Sequence, residues 1–231
     1  FGGLIGFASG SGQLISQCYA TGNVTSACGE IGGLIGSISG AGDVTTVQDC
    51  YARGNVNGSG YDDGSAGGLI GYIFAGNLST QTISNCYSTG QVSPGINQVT
   101  GGGLIGYKYA SGSGVITITD CFWDSQTSGQ ATSNSGTGKT TAQMKEKSTF
   151  SGWSIIESGI DSNNGYPYLT GTSPIWKIYA SYVTSPRETK PVEDKVSLQA
   201  IREIEMSAKG RFYIDKEGNA RYESRFGRKP V

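Results

Sequence analysis

The chain has 231 residues, 38 of them glycine, with 15% charged side chains, a formal net charge of −1 and no histidine. Without histidine, Ser-His and Cys-His nucleophile pairs are excluded and metal sites strongly demoted; the glycine has no collagen period, and no run of 18 apolar residues encodes a membrane span. Charge is uneven: residues 1–135 carry two basic and seven acidic side chains, and residues 136–231 fifteen basic and eleven acidic, which marks a change of domain type.

The first half is a repeat array. Gly-Gly-Leu-Ile-Gly starts at Gly2, Gly32, Gly67 and Gly102, and Cys-Tyr or Cys-Phe recurs at Cys18, Cys50, Cys86 and Cys121, so both markers return every 30 to 36 residues. A period of that size is one supersecondary unit copied along an axis, each copy burying its apolar face on the next. Around each cysteine the columns align: Ile15, Val47, Ile83 and Ile118 before it; Gln17, Asp49, Asn85 and Asp120 directly before it; Tyr19, Tyr51, Tyr87 and Phe122 after it. Short runs of Ile, Val, Thr and Tyr between Gly, Ser, Asn and Asp read as strands of four to six residues with tight corners.

These columns predict an all-β fold, a parallel β-solenoid (β-helix) of about four coils in which equivalent residues stack about 4.8 Å apart. Strand parity puts Cys18, Ala20 and Val24 on one face, assigned inward, and Tyr19, Thr21 and Asn23 on the other. Ile15 has the opposite parity to Cys18, so a corner or bulge between them is expected at the Gln17, Asp49, Asn85, Asp120 column, where short polar side chains hydrogen-bond nearby backbone. Leu4, Leu34, Leu69 and Leu104 form one core ladder. Ile5, Ile35, Ile70 and Ile105 are expected as a second row facing outward or into a covering loop. The paired glycines are expected to supply positive φ and close approach at a corner.

After the coils (1–135) comes a capping segment (136–170), with Thr140 as N-cap of a helix from Thr141 to Lys147 and apolar bulk from Trp153, Ile155, Ile156, Tyr166 and Tyr168. Residues 171–194 read as a strand, Ile175 to Val183, and a polar connector. Residues 195–231 read as a small α+β unit: a helix carrying Leu198, Ile201, Ile204 and Ala208 on one face and ending at Gly210, then a hairpin in which Phe212 and Ile214 face Ala220 and Tyr222 across a 215–219 turn. The opening at Phe1, inside a repeat motif, predicts upstream sequence, and with it any signal peptide. The open first coil predicts contact with upstream repeats of the same polypeptide or with another subunit stacked end to end.

Gly-Gly-Leu-Ile-Gly followed by Ile-x-x-Cys-Tyr-x-x-Gly-Asn-Val resembles the GLUG repeat, over roughly residues 1–170. The resemblance implies a non-catalytic β-solenoid stretch of a large exported bacterial protein, adhesin-like or related to the IgA-specific metallopeptidases. The zinc-binding His-Glu-x-x-His of the latter has no counterpart in a chain without histidine. Residues 197–225 resemble a short segment of phage tail-type structural proteins, which implies a virion or tail-like fibre as the alternative setting.

The remaining motifs offer little chemistry. Ser135-Gly136-Thr137-Gly138-Lys139-Thr140 ends like a phosphate-binding loop, but Ser133 stands where its first glycine is required, so a loop before a helix is expected. Asp62 and Asp63 are a weak calcium candidate, far short of six to eight oxygen ligands. Asp49 and Asp120 could pair across coils for glycoside cleavage, but the interchange of Gln, Asp and Asn in that column fits corner duty. The cysteines are spaced by whole coils, unlike a zinc site, and parallel side chains in register do not give a disulfide torsion, so Cys18, Cys50, Cys86 and Cys121 read as a buried ladder of free thiols, with Cys28 the odd thiol. Asn-x-Ser/Thr at Asn23, Asn57 and Asn77 is common by chance in such a chain. Tyr19, Tyr51, Tyr87 and Phe122 read as an aromatic ladder that packs under loops or, as a binding module, stacks on surface glycans or a host-cell protein. The expectation is a structural and adhesive scaffold of an extracellular surface protein or secreted filament. It has no enzymatic activity, cofactor or nucleic-acid partner; a polysaccharide-cleaving β-helix is the distant alternative.

Overall fold

A computed structural model describes residues 1–27, 29–59, 64–95, 100–156 and 163–169, and the strands Gly210–Ile214 and Ala220–Ser224. The chain forms two compact units, Phe1–Pro174 and Ile175–Val231. The first is all-β with mostly parallel strands, arranged in four parallel sheets to which the second and third repeats contribute one strand each. In chain order through one repeat these sheets contain Ile31–Gly32, Ile35–Gly40, Val44–Ala52 and Val56–Gly58. The next repeat adds Ser65–Gly67, Ile70–Ala75, Thr80–Ser88 and Val92–Ser93. Equivalent residues pair directly: Ile5, Ile35, Ile70 and Ile105 in one row, Cys50, Cys86 and Cys121 in another, and Val24, Val56 and Val92 in a third. Register is fixed because a one-residue slip would send each apolar set to the opposite face.

The corner column lies where parity places it. Gln17, Asp49, Asn85 and Asp120 all adopt left-handed backbone, with φ of 53°, 52°, 50° and 48°. Polar residues tolerate this conformation better than branched ones. The inversion lets Val47 and Cys50, three residues apart, both enter the core, where both are fully buried.

The glycine motif differs from expectation on two points. Its paired glycines do not take positive φ; their role is close approach alone. A Cβ on Gly67 would overlap the Ile70 carbonyl and lie 2.6 Å from the Gly106 amide nitrogen of the next repeat. The isoleucine row is not outward either: Ile35, Ile70 and Ile105 are as buried as Leu34, Leu69 and Leu104, in one core. The amides of Leu34 and Ile35 both donate to the Leu69 carbonyl, at 2.9 and 3.0 Å. Two consecutive N–H groups aimed the same way break the alternation of a strand, so consecutive side chains share a side.

Val24 also departs from its assigned company. With Ile31, Val56, Ala66 and Val92 it forms a second core, separate from that of Cys50 and Ala52. Beyond the last repeat, Thr137–Lys139 is a strand pairing with Phe122–Asp124 rather than the expected loop. Thr140 then caps a helix, Thr141–Lys145, through a reciprocal capping box with Gln143. The helix stops two residues short of Lys147, where a 3-10 turn, Lys147–Phe150, takes over.

In the second unit, Gly210–Ile214 and Ala220–Ser224 pair antiparallel, with Phe212 opposite Tyr222 and Ile214 opposite Ala220. The expected strand at 175–183, the helix from Lys195 and the 215–219 turn lie outside the described residues.

Candidate functional site

The cysteine column serves the corner. Each thiol donates to the carbonyl two residues back, across the left-handed residue: Cys18 to Ser16, Cys50 to Gln48, Cys86 to Ser84 and Cys121 to Thr119, at 3.0 to 3.1 Å. A cysteine is small enough for the ladder and still supplies a weak donor at a kinked carbonyl. None of the four is disulfide-bonded, and Cys50, Cys86 and Cys121 are buried whereas Cys18 is partly exposed. Burial pushes the Cys86 thiol well above its ordinary value and Cys18 above it too; the hydrogen bond from the Cys86 sulfur is the leading influence on Cys50, lowering it. Alkylation with iodoacetamide followed by peptide mass spectrometry is therefore expected to modify Cys18 in the folded protein and to spare Cys50, Cys86 and Cys121 until denaturant is added. Rapid modification of Cys86 under native conditions would contradict the packing. Cys28 lies outside the described residues.

The Cys-Tyr aromatic column is a stack, but not an open one. Tyr19, Tyr51 and Tyr87 lie face to face, with centroids 5.1 and 5.0 Å apart. Tyr51 and Tyr87 are sealed under Met144, Phe150, Ile155 and Tyr166, and Phe122 packs between Phe150 and Trp153. The Tyr87 hydroxyl donates to the Pro167 carbonyl at 2.6 Å and accepts from Asn163 at 3.1 Å; burial raises it well above the usual phenol range. Of the four rings, only Tyr19 is exposed. Of the two readings of the column, the geometry is that of packing beneath covering chain, and Tyr51 and Tyr87 have no open face for a ligand.

The other candidates do not converge. Asn85 donates to the Asp49 carboxylate at 3.2 Å, a polar ladder within the corner column. Asp62 and Asp63 lie outside the described residues. Among the described residues no group of three or more His, Cys, Asp and Glu side chains could hold a metal ion, and no helix is long and apolar enough to cross a membrane.

Two features escaped sequence reasoning. Asp124, fully buried at the end of the last repeat, accepts from the amides of Gln126 and Thr127 at 2.9 and 3.0 Å, from the Thr141 hydroxyl at 2.9 Å and from the Tyr166 hydroxyl at 2.8 Å. It ties the repeats to the covering segment. The second feature is a set of outward rings, Tyr72, Phe74, Tyr107 and Tyr109, on the sheet that begins with each Ile-Gly. Their signal was the alternation Tyr-Ile-Phe and Tyr-Lys-Tyr at the same offset after Gly71 and Gly106.

No protein-family model matches the chain, and no solved structure matches it. Among curated proteins it is similar to Halomucin of Haloquadratum walsbyi (strain DSM 16790 / HBSQ001), with 47% identity over 60 residues. That stretch covers 26% of this chain and spans 1% of the curated relative's length.

Proposed function

We propose that the chain is a stretch of parallel β-solenoid of the GLUG kind, about four coils long, that acts as a non-catalytic scaffold of an extracellular surface protein or filament. The observation that carries this reading is the in-register stacking of equivalent side chains from repeat to repeat, through all four parallel sheets. Such an array gains length by adding copies, each contacting only its neighbours, and so suits spacing and display. The positions that recur from repeat to repeat are spent on corners, ladders and close approach: Cys50 and Cys86 on the kinked carbonyls, Asp49 and Asn85 on the corner, Gly67 on contact with the next repeat. The exposed Leu4 of the first repeat, whose equivalents Leu34 and Leu69 are fully buried, supports contact with further repeats of the same kind.

Immunogold electron microscopy of native cells with an antibody to residues 1–135 tests the setting, with labelled surface structures as the expected result. Labelling confined to the cytosol would refute it. In parallel, the chain is expected to release no reducing ends from polysaccharides; release abolished by Asp49→Asn or Asp120→Asn with the fold intact would make it an enzyme instead.

A further inference from the structure

Strand alternation on Ile70–Ala75 buries Ile73 and turns Tyr72 and Phe74 outward. One repeat on, Tyr107 and Tyr109 occupy the paired positions, and the rings stack in two rows with centroids 6.0 Å apart and planes 8° and 17° from parallel. This is wider than the inner Tyr19, Tyr51, Tyr87 stack, and Tyr107 and Tyr109 remain 39% and 50% exposed. In the preceding repeat the same two columns hold Ser37 and Ser39, and beyond Ser37 stands Phe7.

We propose that this outer face is a stacking platform for an uncharged, linear glycan. Tyrosine presents an apolar ring and a hydroxyl together, which is what a sugar ring requires, with its C–H patches set among hydroxyls. Charge narrows the ligand. None of the column positions Phe7, Ser39, Tyr72, Phe74, Tyr107 and Tyr109 is ionised at neutral pH, and the charged group that acts on Tyr72 is the Glu30 carboxylate, so the columns suit a neutral polyol and disfavour a polyanion. Burial, with the Glu30 carboxylate and the neighbouring tyrosines adding, raises the Tyr72 hydroxyl and keeps it a donor. Two ring pairs side by side on adjacent strands differ from the scattered apolar side chains any surface carries, and being held in place already they lose little freedom on binding. The rows run from repeat to repeat, so the ligand is elongated along that direction. The inference does not depend on the scaffold reading.

The test uses the full chain, titrated calorimetrically with cellohexaose, maltohexaose and chitohexaose, and with oligogalacturonate as the charged control. The variants are Tyr72→Ser with Tyr107→Ser, and Phe74→Ser with Tyr109→Ser. Serine already occupies both columns in the preceding repeat, and circular dichroism with thermal melting checks folding. Tyr19→Ser, a partly exposed ring on another sheet, is the control. At least one neutral oligosaccharide is expected to bind, each double variant to weaken it about tenfold or more, and Tyr19→Ser to leave it unchanged. Absence of binding by all three neutral sugars, affinity unchanged in both folded double variants, equal loss in Tyr19→Ser, or preference for oligogalacturonate would each overturn the proposal. So would dimerisation in light scattering, or binding to phosphatidylcholine vesicles, that the double variants abolish while sugars give no heat, since a second copy or a lipid surface would then be the occupant.

Discussion

Gly67→Ala is expected to cost about 3 kcal/mol or more, lowering the melting temperature by roughly 6–12 °C, although it adds one methyl group. The added Cβ would overlap the Ile70 carbonyl of its own repeat and meet the Gly106 amide nitrogen of the next at 2.6 Å. Both neighbours are backbone in the ladder, so relief requires shifting one repeat against another rather than rotating a side chain. Gly22→Ala is the matched comparison. Nothing lies within 4 Å of its Cβ position and its φ is not positive, so that variant should stay within about 0.5 kcal/mol of the parent, with a small gain from a less flexible unfolded chain. Differential scanning calorimetry on both decides the matter. Equal melting temperatures would show that the glycine pair is not there for close approach.

Asp124→Ala should cost about 3 kcal/mol or more, because it removes the common acceptor of four donors and leaves the Tyr166 and Thr141 hydroxyls without it. Asp124→Asn should cost less: its Oδ1 can keep three of those bonds and its amide can donate to the Tyr166 oxygen. A pH signature accompanies this contact. Burial first, and the Asp124 carboxylate second, raise the Tyr166 hydroxyl to about 12 from its ordinary 10. The folded state thus favours the protonated phenol, and the stability this brings is fully present below about pH 10 and lost as pH rises through 12. Tyrosinate absorbance followed alongside urea unfolding between these limits is the measurement. In Asp124→Ala the loss should be smaller and complete at lower pH, since only burial still holds the proton. An unchanged alkaline profile in that variant would show that Asp124 does not act on Tyr166.

Much of the repeat was legible because its columns are constrained on both sides. Gln17, Asp49, Asn85 and Asp120 could be recognised as a corner from parity alone, since Val47 and Cys50 cannot both be apolar and inward without one. The Ile35 row was misread for the same kind of reason. Alternation was carried through Leu34 and Ile35, where the paired amides on the Leu69 carbonyl abolish it, and no residue type at those positions announces a bend. The tyrosine column left two readings open, packing or ligand strip, for a different reason. Whether Tyr51 and Tyr87 face solvent depends on where Phe150 and Tyr166 return, about 60 to 115 residues downstream, and nothing local to the column records that. Asp124 looked like one acid among several because its donors come from three separate stretches of chain, 126–127, 141 and 166.

The two ends of the repeat array are not equivalent, and that bears on symmetry. At one end Leu4, Phe7 and Leu14 are 50%, 61% and 63% exposed; at the other, Leu104 and Cys121 are buried beneath the stretch that includes Ser133, whose hydroxyl bonds the Leu104 and Ile105 amides, and Gly136. Two identical copies joined through their exposed ends meet head to head, related by a twofold axis that sets their strands antiparallel. Such a contact is isologous and closes on itself at a dimer. Such a contact therefore cannot by itself propagate from copy to copy.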